Sequence, residues 1–412
     1  MKKDGLWTRD YTRITLASIL SIIGGEAINL PVSLLVFDET KSTLLSALVM
    51  ICGFVPDLLL GMLVAPVIDR SRKKRWIVGM DALLLGVYLA MAVFTRVGPF
   101  RYGLYVAFTL VTATISVFYR LAYAAWFPDL IPVACEQQGY AVSGTLYPMI
   151  AIVMSPVAAF LYTRVSVPDM FLGVAALLAL SIVIEAGIRE GGHEAVGERY
   201  TLKLWWSDLA AGFRFIRREK GIRNIYSYMS FASASGESSA ILVRAYFQTA
   251  PGLTVTMLGL MNSAEMVGRL ISGAAQYRFT VPPKKRYGVT RFVYVFYQMM
   301  DAALLFMPYG AMLVNRFACG ALGTLSATLR STAVNSYLPA DMRARVNALF
   351  DTMSACAMLL FHLLAGALGQ ALPYRAGVAL ISIVTLLAAV AFIIVPAKQN
   401  RPVYEAVREV EP

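Results

Sequence analysis

Two glutamates interrupt long apolar stretches of this sequence at corresponding places. Glu26 follows a glycine in the first apolar stretch, and Glu237 follows a glycine in the seventh, 211 residues later. A charge in the middle of a bilayer costs roughly 2.5–3.5 kcal/mol on insertion scales, so such a residue is expected to face a polar cavity or a partner. A carboxylate in that position can exchange a proton as its surroundings change. The two glutamates therefore predict proton coupling in a central cavity, with a structural, hydrogen-bonded role as the alternative.

Other polar residues within apolar stretches are candidates for the same cavity. Arg244 lies seven residues after Glu237, about two helical turns along one face, where it could neutralise that acid or bind an anionic group. His362 is a lone histidine, for which a packed role and a proton relay are both open. The predicted cavity residues are Glu26, Glu237, Asn29, Arg244, Arg120, Tyr123, Asp301 and His362.

One pair of charges has the spacing of an intrahelical ion pair. Glu265 and Arg269 are four residues apart with the acid first, which is the favourable order on a helix. We therefore predict a structural ion pair within the eighth apolar stretch.

Twelve apolar stretches are long enough to span a bilayer, for which about 20 residues suffice. Hydrophobic residues make up 58% of the chain and charged residues 15%, with a mean hydropathy of +0.63, whereas soluble domains carry roughly 25% charged residues. The predicted spans are 14–37, 44–68, 76–95, 102–127, 140–163, 169–188, 223–247, 255–279, 289–307, 311–337, 344–370 and 374–395. The sequence predicts an all-α membrane protein. Because it has no nucleophile constellation, metal motif or cofactor loop, we expect neither an enzyme nor a cofactor.

The basic residues orient these spans. Counting Lys and Arg near the span ends places 27 on the side assigned to the cytoplasm and five on the other side, namely Lys41, Arg96, Arg101, Arg164 and Arg375. Short cytoplasmic loops carry such an excess. Both termini are therefore predicted to be cytoplasmic, in what we expect to be a bacterial cell membrane. The net charge of +12 is attributed to loops beside anionic headgroups and not to nucleic-acid binding.

The two halves of the chain repeat each other with a constant offset of 211 residues. Lys73-Lys74-Arg75 recurs as Lys284-Lys285-Arg286, and Phe127-Pro128 as Leu338-Pro339. A constant offset predicts two six-helix bundles in the same orientation, as in many secondary transporters. The predicted domains are a bundle over 1–188, a cytoplasmic connector with an amphipathic helix over 189–222, and a second bundle with a short tail over 223–412.

Three segments carry a family resemblance. The stretch from Ala65 to Arg75 is similar to the G-x-x-x-D-R-x-x-[RK]-[RK] signature of the major facilitator superfamily, and Asp81 follows it. The segments 208–214 and 338–346 resemble connector and loop motifs of its macrolide-efflux-like branch, the third drug:proton antiporter family. The resemblance implies a major facilitator fold of twelve helices in two pseudo-symmetric bundles, and it does not indicate a substrate.

The resemblance also implies a role for the loop after the second span. In the family, the aspartate that matches Asp69 meets the N-terminus of span 11, where the helix dipole favours an anion. The residues assigned to this gating loop are Asp69, Arg70, Lys73, Lys74, Arg75 and Asp81. The alternative is a simple positive-inside anchor, which explains the basic run but not the aspartate.

Together these features predict a monomeric, proton-coupled exporter of amphipathic organic compounds that works by alternating access. Its energy would come from an ion gradient, because the sequence contains no G-x-x-x-x-G-K-[ST] loop. One alternative is a dedicated carrier of an anionic metabolite, siderophore or lipid. Another, from a different class, is a transport-dead membrane sensor or scaffold.

Overall fold

Each of the twelve predicted spans is a helix. The computed structural model describes residues 6–69, 71–132, 135–189, 210 and 213–406, and these contain no β-strand. The spanning helices are α1 (Arg9–Thr40), α2 (Thr43–Asp69), α3 (Lys73–Val97), α4 (Tyr102–Leu130), α5 (Glu136–Arg164), α6 (Val167–Ala186), α7 (Lys220–Thr249), α8 (Val255–Arg278), α9 (Pro283–Ala303), α10 (Tyr309–Tyr337), α11 (Ala340–Ala371) and α12 (Tyr374–Ala389, extended by a π-helical turn Val390–Ile394). A short helix, α13 (Ala397–Glu405), follows. The predicted all-α fold is confirmed.

Local sequence signals set several helix ends. The Thr8 hydroxyl accepts a hydrogen bond from the backbone N–H of Tyr11 at 3.3 Å and so caps the start of α1. Ser166 caps α6 in the same way, and Pro168 lies in the first turn of that helix, where its missing N–H is not needed. Helix α1 ends at Thr40, and the next residue, Lys41, has a left-handed backbone with φ of 50°.

The outer surfaces of many helices are apolar and exposed. Val97 is 83% exposed, Val183 70% and Phe279 72%. Large exposed apolar surfaces mark regions that contact something other than water. By length and composition, eight of the described helices could cross a membrane: α1 to α6, α11 and α12. These surfaces are what a bilayer covers, and the chain is a membrane protein.

Helices α7 to α10 are more polar than the other spans. Helix α7 alone contains six serines, of which Ser230, Ser235, Ser238 and Ser239 are buried. Polar groups inside a bilayer are expected on faces turned away from lipid. The hydropathy of α7 is therefore lowered in part by serines that lie inside the protein.

The described helices form two compact units. The first unit contains α1, most of α2, and α3 to α6, with α6 packed against both α1 and α3. The second unit contains α7, most of α8, and α9 to α13, with α7 packed against α11 and α12. Each unit has its own apolar core: Phe108 and Phe171 pack edge to face in the first, and Tyr228 contacts Tyr294 in the second.

The predicted connector lies mostly outside the described residues, which omit 190–209 and 211–212. Residues 213–218 are helical. Phe213 is exposed, whereas Ile216 is buried in the apolar core of the second unit. The predicted amphipathic helix can therefore be followed only over its last residues.

Candidate functional site

A cavity of about 590 Å³ opens within the first unit. Its walls come from α1, α2, α3, α4 and α6, and its polar lining residues include Asn29, Asp57, Asp81, Tyr88, Tyr119 and Arg120. Of the predicted cavity residues, Asn29 and Arg120 line it. Glu26 is half-buried one turn before Asn29 and is not part of the lining.

The cation and one acid of this cavity neutralise each other. Arg120 on α4 forms an ion pair with Asp57 on α2, and both side chains remain about half exposed. Beside them, the ring of Tyr123 stacks on those of Tyr119 and Phe127, with ring centroids 6.1 and 5.1 Å apart. Tyr123 accepts a hydrogen bond from the Ser18 hydroxyl at 3.1 Å. Of these three rings only that of Tyr119 lines the cavity, so Tyr123, a predicted cavity residue, lies outside the lining.

A second acid of the cavity has another acid as its partner. Asp81 on α3 is 3% exposed, and Glu185 on α6 is fully buried. The two carboxyl groups are close enough to interact electrostatically, and the Tyr119 phenol faces both of them. Tyr119 donates its hydroxyl to Glu185 Oε1 at 3.2 Å. Asp81 therefore belongs to the buried interior of the first unit and not to the loop residues with which the sequence grouped it.

Glu185 was missed by the sequence analysis. It is the only acid in the apolar run from Met170 to Ala186, close to the predicted cytoplasmic end of span 6. An acid near a span end is usually interpreted as solvated, because long side chains reach the interface there. The signal that could have found it is the short side chain of Asp81 in the neighbouring apolar span, which needs a partner.

The basic loop after α2 contacts the end of α6. Lys74 donates to the carbonyl oxygens of Ala186 and Ile188 at 2.8 and 2.7 Å. Arg13 on α1 donates to the carbonyl oxygen of Gly187. Cations at a helix C-terminus satisfy carbonyls that have no partner within the helix. Of the other predicted gating residues, Lys73 is half-buried and Arg75 exposed, whereas Arg70 and the side chain of Asp69 lie outside the described residues.

In the second unit, the acids and cations form one network. Arg316 on α10 pairs with Asp301 on α9, and its other amino group lies 3.9 Å from Glu265 Oε2 on α8. Arg269 Nη2 is 2.6 Å from Glu265 Oε1, which is the geometry predicted for this i, i+4 pair. The Ser382 hydroxyl donates to Asp301 Oδ2 at 3.2 Å. Asp301 thus serves as the counter-ion of a buried arginine.

The close approach of α8 and α10 depends on two glycines. A methyl group on Gly268 would lie 2.1 Å from the carbonyl oxygen of Phe317, and one on Gly320 would lie 2.0 Å from that of Glu265. Small residues let membrane helices touch backbone to backbone. This contact places Glu265 beside Arg316.

The predicted cavity residues of α7 and α11 lie next to this network. Glu237 is within electrostatic range of Arg269 and of His362. His362 Nδ1 lies 2.9 Å from the Ser238 hydroxyl and 2.8 Å from the carbonyl oxygen of Met358. Arg244 is also within electrostatic range of the histidine. The structure therefore brings Glu237, Arg244 and His362 together within the second unit.

A smaller polar pocket of about 320 Å³ lies elsewhere in the second unit. Arg330 and Asp351 both line it, beside Tyr226. Arg330 Nη1 is 2.9 Å from the sulfur of Met229. Arg120 and Arg330, which occupy similar places in the two halves of the sequence, thus have different surroundings. In the part of the chain that the structure describes, no group of three His, Cys, Asp or Glu side chains could hold a metal ion.

The arrangement of the helices is the major facilitator fold. The chain is similar to the peptide transporter POT in complex with sulfate (TM-score 0.73, 9% identity, 97% of each chain covered). It is also similar to the nucleoside transporter NupG (TM-score 0.66, 13% identity, 93% of this chain and 98% of that chain). A third similar structure is a bacterial homologue of the human lysosomal transporter Spinster, inward-facing and unoccupied (TM-score 0.63, 12% identity, 98% and 99% covered).

At these identities the likeness shows the fold alone. No protein-family profile matches the sequence, and no curated protein matches it significantly. The three solved structures are transporters by description, and none is described as an enzyme.

Proposed function

We propose that the protein is a secondary transporter that exports amphipathic organic compounds in exchange for protons, by alternating access between its two bundles. The observation that carries this proposal is the cavity of about 590 Å³ in the first unit, which is walled by apolar and aromatic side chains and is lined by one buried acid, Asp81. The major facilitator fold supports it, because the solved structures that share this fold are transporters.

The size and lining of the cavity favour a drug-sized organic molecule. Small-molecule sites measure roughly 300–1,000 Å³ and are mostly apolar, with a few polar groups that fix orientation. Here Tyr88, Phe108 and Tyr119 supply aromatic surface, and Asn29 supplies a polar contact. Such a lining suits a compound with an apolar body and a polar end.

The charges of the cavity favour a cationic end on that compound. Arg120 is neutralised by Asp57, so its positive charge is not available to an anion. Asp81 also lines the cavity and has no basic partner within the described residues. A cationic group would therefore find a net acidic surface. Glu26 and Glu237 remain proposed coupling residues, each near the middle of its helix.

One observation supports the alternative function, which is a dedicated carrier of an anionic metabolite, siderophore or lipid. Arg244 lies in the polar interior of the second unit, near His362. Replacing Arg244 with alanine should abolish transport of an anion and spare that of a lipophilic cation. A transport-dead sensor is disfavoured, because it could fill its interior with packing side chains and has no need of a large cavity.

The test is efflux of ethidium and of a macrolide from cells that express the protein. We expect efflux to stop when an ionophore collapses the proton gradient, and to weaken in Glu26→Gln, Glu237→Gln and the double variant. Leu180→Ala, on the exposed face of α6, is the matched control and should transport normally. Wild-type efflux that ignores the proton gradient and persists in these variants would remove the coupling claim.

A further inference from the structure

The buried acids Asp81 and Glu185 form a site that differs from every other group of charges in the described chain. They come from α3 and α6, which pack along each other. Asp81 reaches the cavity of the first unit, whereas Glu185 lies behind it with no exposed surface. The two acids thus connect the cavity to the interior of the helix bundle.

No cation neutralises this pair within the described residues. Asp81 Oδ2 and Glu185 Oε2 are both buried and have no hydrogen-bond partner there. The groups that face the pair are phenols: Tyr88 on α3, and Tyr119 and Tyr123 on α4. Each phenol can donate one hydrogen bond and brings no positive charge.

Three basic side chains on the surrounding helices bind other groups. Lys74 and Arg13, from α3 and α1, bind the carbonyl oxygens that follow Glu185 at the end of α6. Arg120, which lines the same cavity, pairs with Asp57 on α2. These cations therefore bind backbone carbonyls or another acid. In the part of the chain that the structure describes, none of them pairs with Asp81 or Glu185.

Two neighbouring buried carboxyl groups that have no basic partner in the described chain are not expected to be ionised together, because each negative charge opposes the other and burial opposes both. A proton held by the pair removes this conflict, because one acid is then neutral and the two groups titrate as a unit. We propose that Asp81 and Glu185 form a proton-binding site of the first unit, reached from the cavity through Asp81.

The existence of the proton site does not depend on the proposed function, but its role in transport rests on it. A cationic compound in the cavity would stabilise the ionised form of Asp81, so the pair would release a proton as the cation enters. The carboxyl O–H bond breaks, the electron pair stays on the carboxylate, and the proton leaves to water. One monovalent cation enters the cavity as one proton leaves the pair, so the exchange is electroneutral.

Infrared spectroscopy of the purified protein in lipid nanodiscs tests the site without transport. A protonated carboxyl group has a C=O band that moves in D₂O and disappears when the group ionises. We expect the wild type at neutral pH to show a component of this band that the double variant Asp81→Asn/Glu185→Gln lacks, in addition to any bands of Glu26 and Glu237. Asp57→Asn removes an acid of the same cavity that is already paired, and should keep the band. A double variant whose carboxyl bands equal those of the wild type in intensity, or a component that sodium ions remove from the wild type at constant pH, would overturn the proposal.

Proteoliposomes separate the site from the proposed function. With one proton exchanged per ethidium, a pH difference of about one unit should sustain roughly tenfold accumulation of the dye. The double variant should let the dye equilibrate and give no accumulation. Accumulation by the variant equal to that of the wild type would refute the coupling role. A wild type that does not move the dye would refute the proposed function, while the infrared band would still decide whether the proton site exists.

Discussion

Each unit contains a buried acid, and the two acids have side-chain partners of opposite charge type. In the second unit, Asp301 is 3% exposed and has Arg316 as its counter-ion. In the first unit, Asp81 is equally buried and its partner is another acid. An arginine keeps its charge at any physiological pH, whereas a pair of acids needs a proton to become stable. Asp301 therefore belongs to a fixed ion pair, which suits a structural role, whereas Asp81 and Glu185 suit the exchangeable proton that we propose for them.

Removing a fixed charge should have the largest effect. Asp301→Asn leaves Arg316 buried with a single acid 3.9 Å away, and loss of one partner of a buried ion pair costs about 3–5 kcal/mol. Denaturant unfolding of the purified protein in detergent measures the change. Arg269→Gln is the control, because Arg269 is half exposed and should contribute at most about 1 kcal/mol. Equal losses in the two variants would mean that burial does not set the strength of this network.

The second largest effect is expected at the contact between α8 and α10, which places Glu265 beside Arg316. Gly268→Ala and Gly320→Ala place a methyl group against the backbone of the facing helix, and overpacking of this kind costs about 1–3 kcal/mol. Gly273→Ala, on the same helix as Gly268 but with nothing within 4 Å of the added methyl group, should be tolerated. The same unfolding measurement applies. If the Gly268 and Gly273 variants were equally stable, the close approach of α8 and α10 would not hold in solution.

The smallest effect is expected at Glu185, because the proton that we propose for its pair with Asp81 already neutralises it. Glu185→Gln keeps an oxygen that can accept from Tyr119 and gains an N–H that can donate to Asp81. We therefore expect the free energy of unfolding at neutral pH to change by less than about 1 kcal/mol, the contribution of one hydrogen bond. A loss as large as that of Asp301→Asn would show that Glu185 is ionised and paired, and the contrast between the units would disappear.

Much of the architecture was determined by the sequence alone. Apolar length and the spacing of charges predicted the twelve spanning helices and the pair Glu265–Arg269, because a helix fixes which residues share a face over a few turns. The constant offset of 211 residues predicted a repeated bundle. These features are local or periodic, so they can be detected without knowing which helices touch.

Only the tertiary structure decided which charges meet. Asp81 and Glu185 are 104 residues apart in the sequence, and Arg316 and Asp301 lie on different helices. The sequence placed Asp81 with a loop and gave Glu185 no role, and it predicted Arg120 as a cavity residue without indicating that its partner is Asp57. The partner of a buried charge is set by helix rotation and by close contacts such as that of Gly268. These depend on the packing of whole helices and leave no fixed spacing along the chain.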